Sequence, residues 1–395
     1  MLTSSKNHTL STNILWQFAT SKGYAIALWR LPNSSEKHLL IDFSGQPQAT
    51  KIDLEELPTG FAFSPFQGES LFLKADAYYK FNTDNEVVED DIFAKNKLLF
   101  SEIESFINLP KREEPVGQVL NPPYNEKEQF KQFVAKGIEA VQQGIVQKIV
   151  PSRTKEITLP EHFEVVSAFD NLCKTYHNAF VSAVYLPDSK TVWMGASPET
   201  LVSVNTEGIF KTMALAGTQS AIESDGSMLS PSDARWSHKE IEEQALVCRY
   251  IIECFKKIRL REYVEVGPKT VLAGNLLHLR SDYSVDTQAV NFPELGTVML
   301  DLLHPTSAVC GMPKAEAIAF LKENEPHERE FFSGFLGPIN VQNASHLFVN
   351  IRCMKIKQRQ ATLFAGVGVT ADSNPEKEWK ETEIKTQTLL NVIEG

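Results

Sequence analysis

The chain is expected to fold as α+β, built on antiparallel strands with helices among them rather than on a parallel doubly wound sheet. Three observations carry this. Short runs rich in β-branched and aromatic residues occur at 180–186, 191–195, 200–204 and 209–213, and they read as an antiparallel series. Turn residues such as Pro187-Asp188 and Glu207-Gly208 join them in hairpin fashion. Longer stretches of helical periodicity, at 238–258 and 375–393, are interleaved with the strand runs.

Taken in order, the first part of the chain mixes strand-like runs at 24–31, 39–43 and 70–74 with turn residues. The polar, acidic stretch 82–91 reads as a solvated loop, and 109–123, with four prolines, reads as a connection. Beyond it Phe130, Phe133, Val134, Ile138 and Val141 share one helical face. Asn125 with Glu128 has the spacing of a capping box, and Gly144 suits the end of this helix. A short strand is expected at 146–150, a helix at 314–323, and strands at 347–355 and 361–369. The last helix opens at Ser373-Asn-Pro-Glu376, with proline in the first turn and glutamate at the capping-box position.

Composition narrows the function classes. Over 395 residues the formal net charge is −11, which argues against nucleic acid or an anionic membrane as partner, because both reward a basic surface. A small anionic substrate stays compatible, provided local Arg, Lys or a metal offsets the field. Five widely spaced cysteines without a CxxC pair read as free thiols in a reducing compartment. The opening Met1-Leu-Thr-Ser-Ser-Lys has no signal-peptide pattern, and no apolar run reaches the length of a bilayer span. A cytoplasmic location is therefore expected.

Two familiar motifs fail on context. Gly366-Val-Gly368-Val-Thr-Ala371 matches a dinucleotide fingerprint, but the helix begins after it and the chain closes with that helix. His327-Glu328 starts like a zinc-protease helix, but position 331 is Phe. Five other places carry charge where apolar residues are the rule. Lys148 lies inside a strand, Glu199 follows Ala196-Ser-Pro198 at a strand junction, and Glu242 and Glu243 open a helix. Arg352 lies in the run Val349-Asn-Ile-Arg352-Cys-Met, while Glu378, Glu381 and Lys385 share one face of the last helix. Each has an ordinary structural explanation on its own: an edge guard, dipole compensation, a strand ion pair, an exposed i,i+4 pair.

Their surroundings add to this. Gln147-Lys-Ile-Val-Pro-Ser-Arg153, Gly195-Ala-Ser-Pro-Glu-Thr200, Ala214-Leu-Ala-Gly-Thr218 and Asn275-Leu-Leu-His-Leu-Arg280 resemble segments of the chorismate-utilising enzymes. So do Leu303-His-Pro-Thr-Ser-Ala-Val-Cys-Gly-Met-Pro313, the stretch from Glu325-Pro326 to Gly337, Ile351-Arg-Cys353, Phe364-Ala-Gly-Val-Gly368 and Glu376-Lys-Glu-Trp-Lys-Glu-Thr-Glu-Ile-Lys385. The similarity is collinear over 125–393. It implies a fold like that of anthranilate synthase component I, with two antiparallel sheets packed together and helices outside. It also implies a catalytic region at 124–395 and a variable portion at 1–123 that adds strands to the same unit.

The resemblance further implies a set of roles. Lys148 would be the general base and Glu199 the general acid. Glu243 and Glu381 would be ligands of one Mg²⁺, and Gly217, Thr218, His278, Ala308, Arg352, Gly366 and Lys385 would meet the substrate. The chemistry needs such a pair, because hydroxide leaves poorly without an acid and water attacks poorly without a base. Burial is expected to move Lys148 down and Glu199 up, the useful direction for each. Lys148 resembles the water-using branch, and Ala216 resembles members without a covalent lysine. Together they favour an isochorismate synthase of the menaquinone or siderophore type, converting chorismate by adding water at C2 and expelling the C4 hydroxyl. A salicylate synthase, or a non-catalytic chorismate-binding relative, is the alternative. Gln219, Glu240 and Gln244 depart from the common pattern of the family. A monomer is expected.

Overall fold

The computed structural model describes residues 10–83, 86–90, 102–103, 105–106, 125–222, 226–273 and 276–393. In chain order its strands are β1 (Ala25–Arg30), β2 (Lys37–Asp42), β3 (Gln48–Ala49), β4 (Gly60–Ser64), β5 (Leu71–Lys74), β6 (Ala77–Phe81), β7 (Val87–Asp90), β8 (Lys148–Ile149), β9 (Ser152–Thr158) and β10 (Phe180–Leu186). There follow β11 (Thr191–Ser197), β12 (Thr200–Val204), β13 (Ile209–Ser220), β14 (Val264–Ala273), β15 (Leu276–Asp286), β16 (Gly311–Met312), β17 (Phe335–Ile339), β18 (Ser345–Val349), β19 (Cys353–Lys357) and β20 (Gln360–Gly366). The helices are α1 (Thr12–Lys22), α2 (Glu126–Gln142), α3 (Val165–Thr175), α4 (His238–Lys257), α5 (Leu295–Leu303), α6 (Lys314–Asn324) and α7 (Pro375–Ile393).

Among the described residues these strands form two nine-stranded sheets and one small ribbon. The first sheet runs β7-β6-β2-β1-β10-β11-β19-β20-β9, the second β14-β15-β13-β12-β18-β17-β4-β5-β3, and the ribbon pairs β16 with β8. The pairings are antiparallel throughout, for example Ile26 with Tyr185 and Phe335 with Val349. Strands from before residue 90 thus enter both sheets. β1 lies between β2 and β10, and β4 between β5 and β17.

The packing explains the strand sequences. In β1, Ala25, Ala27 and Trp29 face the apolar layer shared with the second sheet, where Phe61, Phe63 and Phe348 also lie. Ile26 and Leu28 turn the other way, onto Leu15 and Phe18 of α1 and Phe169 and Leu172 of α3. With both faces covered, no position from Ala25 to Trp29 needs a polar residue, so this run is apolar instead of alternating. Phe180 of β10 stacks on Phe348 of β18 across the gap, with ring centres 4.1 Å apart. The outer face of the second sheet is covered by α4 and α5 through Leu246, Tyr250, Phe255, Leu295 and Met299. A further cluster, with Phe130 and Val134 of α2 and Leu321 of α6, encloses the β8 ribbon through Ile149, Val367 and Val369.

Helix ends follow local chemistry. Ser11 caps α1 by accepting the Ile14 N–H, and Gly23 at φ +71° closes it. α7 is capped by Asn374, whose Oδ1 accepts the N–H groups of Glu376 and Lys377; Ser373, at the expected capping position, instead accepts the N–H of Thr370. Asn125 takes a left-handed conformation and makes no capping hydrogen bond, so the expected box at α2 does not form. Part of the expected loop 82–91 is strand β7, paired with β6. The expected proline-rich connection at 109–123 lies outside the described residues. The run 347–355 is not one strand: it breaks between β18 and β19, which belong to different sheets. None of the described helices is long and apolar enough to cross a membrane.

Candidate active site

The chain passes between the two large sheets at two adjoining places. Going out, it leaves β11 and enters β12 through Pro198 and Glu199; coming back, it leaves β18 and enters β19 through 350–352. The two crossings are tied together. Ser197 Oγ donates to Val349 O at 2.6 Å, the Val349 N–H donates to Glu199 O at 3.0 Å, and the Ala196 N–H donates to Arg352 O at 3.1 Å. At a crossing the side chain is not committed to either face of a sheet, so Glu199 and Arg352 are aimed into the cleft. Arg352 reaches this direction with φ +52°, a left-handed backbone uncommon outside glycine. The sequence reading placed it inside a regular strand; the structure corrects that, because the strand must end for the chain to change sheets.

Nine of the expected residues line one cleft: Glu199, Gly217, Thr218, Glu243, His278, Ala308, Arg352, Gly366 and Lys385. The space amounts to about 630 Å³ with its open mouth included. The other two expected residues sit directly behind these. Lys148 Nζ is 2.9 Å from Glu243 Oε1, and Glu381 Oε1 is 2.7 Å from Lys385 Nζ. Lys385 also donates to Gly366 O at 2.8 Å.

Lys148 is fully buried on β8. Its ammonium nitrogen meets Glu243 in an ion pair inside the protein. Glu199 is equally enclosed. Burial pushes its carboxyl up to about 8, against the pull of Lys148, Lys385 and Arg352. Burial opposes the charge on Glu243 as well, but there Lys148 and Lys239 win, and its carboxyl is lowered to about 2. Two buried glutamates are thus driven to opposite states, one keeping its proton at neutral pH and one ionised.

Across the cleft, burial and the nearby Arg352 lower His278 to about 3, so its imidazole is neutral. Its Nδ1 lies 2.8 Å from Gly217 O, which only a donor can satisfy; Nε2 is then the acceptor, 3.4 Å from Arg352 Nη2. Gly217 stands at φ +67° in a bulge of β13, where the register with β15 shifts between Ala216 and Gln219. Gly368 is needed for a different reason: a Cβ there would lie 2.0 Å from Glu243 Oε1 and 3.0 Å from Lys148 Cε.

Two residues passed over by the sequence reading also belong here. Glu378 was noted only for its helical spacing. It is 1% exposed and bonds Lys239 Nζ at 2.6 Å, and its Oε2 is buried without a hydrogen-bond partner. Burial, with Glu381 nearby, raises its carboxyl to about 7. Lys239 feels Glu381, Glu378 and Glu243 together, and their charge overcomes burial to hold its ammonium above the usual range. Lysine at the start of a helix reads as surface, so only the fold reveals this contact. The atypical positions have structural duties. Glu240 accepts the Ser237 N–H at 2.8 Å in a capping box, and Gln244 Nε2 donates to Ala214 O at 3.3 Å, fastening α4 to β13.

The donor set fits a hard cation. Three carboxylates from α4 and α7 converge, and one of their oxygens is buried with nothing to bond. Outside this cluster, exposed His238, Glu242 and Asp372 bring ligand atoms within 4.8 Å of one another, which makes a further candidate position for a divalent cation.

Comparison with known proteins agrees with the architecture. Isochorismate synthase EntC of Escherichia coli strain K12 is 31% identical over 271 residues, covering 68% of either chain. Isochorismate synthase DhbC of Bacillus subtilis strain 168 is 29% identical over 294 residues, 72% of either chain. The crystal structure of DhbC from Bacillus anthracis superposes with a TM-score of 0.73 at 22% identity, over 97% of this chain and 99% of that one, and so shares its fold. The sequence pattern of the family described as chorismate binding enzyme matches residues 62–394, and the chain belongs to that family.

Proposed function

We propose that this chain is an isochorismate synthase, adding water to one ring carbon of chorismate while a hydroxyl leaves another. The observation that carries this reading is a buried carboxyl that keeps its proton near neutral pH, Glu199, sharing a site with a fully buried lysine, Lys148. An acid and a base are the two groups the exchange of hydroxyls requires.

In this reading Lys148 takes the proton of the attacking water and Glu199 delivers its own to the departing C4 hydroxyl. Arg352 and Lys385 hold a substrate carboxylate, Arg352 through the planar fork of its guanidinium. Neutral His278 presents Nε2 as an acceptor beside them. The backbone at Gly217, Thr218 and Gly366 and the side chain of Ala308 shape the walls. Glu243 and Glu381 would hold Mg²⁺, with Glu378 next to them; the ion when bound supplies positive charge for the substrate's other carboxylate. Five free cysteines support a cytoplasmic site of action. The acidic net charge supports a small-molecule partner over nucleic acid or membrane, and we take the protein to act as a monomer.

The test is chromatography of products after incubation with chorismate, with Mg²⁺ and with a chelator. Isochorismate formed only with Mg²⁺, and lost by at least about a hundredfold in Lys148→Ala, is the expected result. Salicylate with pyruvate would move the chain to the lyase branch. No conversion, or undiminished turnover by the variant, would remove the reading.

A further inference from the structure

The three carboxylates of the proposed cation site are each matched by a lysine. Lys148 meets Glu243 at 2.9 Å, Lys385 meets Glu381 at 2.7 Å, and Lys239 meets Glu378 at 2.6 Å. Each carboxyl group therefore already has a lysine partner before any metal arrives. A dication can enter only if some of this compensation is given up, since each added charge in a buried site costs desolvation that its partners must repay.

The lysines differ in their freedom to leave. Lys148 is wholly enclosed on its ribbon, and Lys385 is anchored a second time by Gly366 O. Lys239 has neither restraint. Its side chain is 14% exposed, it stands in the first turn of α4, and its neighbour His238 is open to solvent. Nor is it there for the helix, because a positive charge in the first turn opposes the macrodipole. It lies four residues before Glu243, the ordinary spacing for a pair along one helix, yet it reaches across to α7 and bonds Glu378.

We propose that Lys239 is the resident cation of this site, and that a divalent ion binds by exchange, displacing its ammonium from Glu378 toward solvent. The proposal rests on the reading that these carboxylates hold the metal. Lys239 thereby sets the metal affinity without touching substrate. It keeps the two helices joined when metal is absent, and it makes the site yield only to a cation carrying more charge than its own.

The experiment is calorimetric titration of the substrate-free protein with Mg²⁺ alone, comparing wild type, Lys239→Met and Lys239→Arg. Removing the competitor should tighten Mg²⁺ binding by about tenfold or more in Lys239→Met, while Lys239→Arg, which keeps the charge, stays near or below wild type. The metal-free Tm should fall in Lys239→Met, and its rise on adding Mg²⁺ should be larger than in wild type. Equal or weaker binding by Lys239→Met would overturn the proposal, since Lys239 would then serve to orient Glu378 for the metal. A second measurement needs no variant: acylation of wild-type lysines by acetic anhydride, read by mass spectrometry. Modification of Lys239 should rise several-fold when Mg²⁺ is present, and an unchanged or lower level would overturn the exchange. Turnover of chorismate by wild type judges the proposed function separately, so loss of that reading and loss of this one are told apart.

Discussion

Glu199 offers the most direct test of a single side chain. Its carboxyl is raised from an ordinary value of 4.5 to about 8, chiefly by burial. The folded chain therefore binds more protons than the unfolded chain between those values, and stability contributed by the neutral form is lost as pH rises through them. Glu199→Gln keeps the neutral shape and removes the titration. Relative to wild type it should melt higher at pH 9 than at pH 5, with a stability difference on the order of a few kcal/mol. The same variant should lose about a hundredfold or more of conversion, and wild-type activity should decline above about pH 8 as the acid ionises. Thermal melts at the two pH values and a pH–rate profile check both halves. The tendency of a buried glutamate to keep its proton was readable in outline from Ala196-Ser-Pro198 and its family context. The opposite state of Glu243 was not, because it depends on Lys148, which lies far away in sequence, as well as on Lys239 one helical turn before it.

Among the elements, the turn between β20 and α7 is the constraint closest to the carboxylate of Glu243. Gly368→Ala would place a methyl group 2.0 Å from Glu243 Oε1, so the carboxylate must move by more than an ångström. Both Mg²⁺ affinity and conversion should drop by about tenfold or more, while the far-ultraviolet circular dichroism stays that of wild type. A variant that binds Mg²⁺ as well as wild type would show that Glu243 is not held in place by that contact. The elements were unevenly legible. α4 and α7 were found almost to the residue, because an amphipathic period over twenty positions is hard to mistake. The break at 350–352 was hidden. Val349-Asn-Ile-Arg352-Cys-Met has strand propensity throughout, and only the need to change sheets ends the strand there. α1 was missed although Ser11 and Gly23 bracket it with an ordinary cap and stop. The doubled core around β1 had made the region read as strands. The fingerprint-like glycines at 366 and 368 were correctly set aside, and Gly368 serves instead to admit Glu243 at close range.

For the whole molecule, strands β1 to β7 are built into the two sheets and are not an appendage. β1 is interior to the first sheet, and β4 is interior to the second, so removing them would expose two rows of backbone donors and acceptors and open the shared core. A chain beginning at residue 124 should therefore be insoluble or lack a cooperative melt. A soluble, cooperatively melting fragment that converts chorismate would refute this and make the N-terminal portion a separate unit. The site itself lies elsewhere, on the seam formed by β11 with β12 and β18 with β19. From that seam the rim strand β7 is five strand spacings away and the rim strand β3 is four, roughly 24 and 19 Å at ordinary interstrand distances. Lineages carrying this fold can therefore lengthen, trim or rebuild their rims by drift, whereas a single insertion in either crossing would turn Glu199 or Arg352 out of register. The seam records the shared chemistry, and the rims at β7 and β3 are where descendants are free to become different proteins.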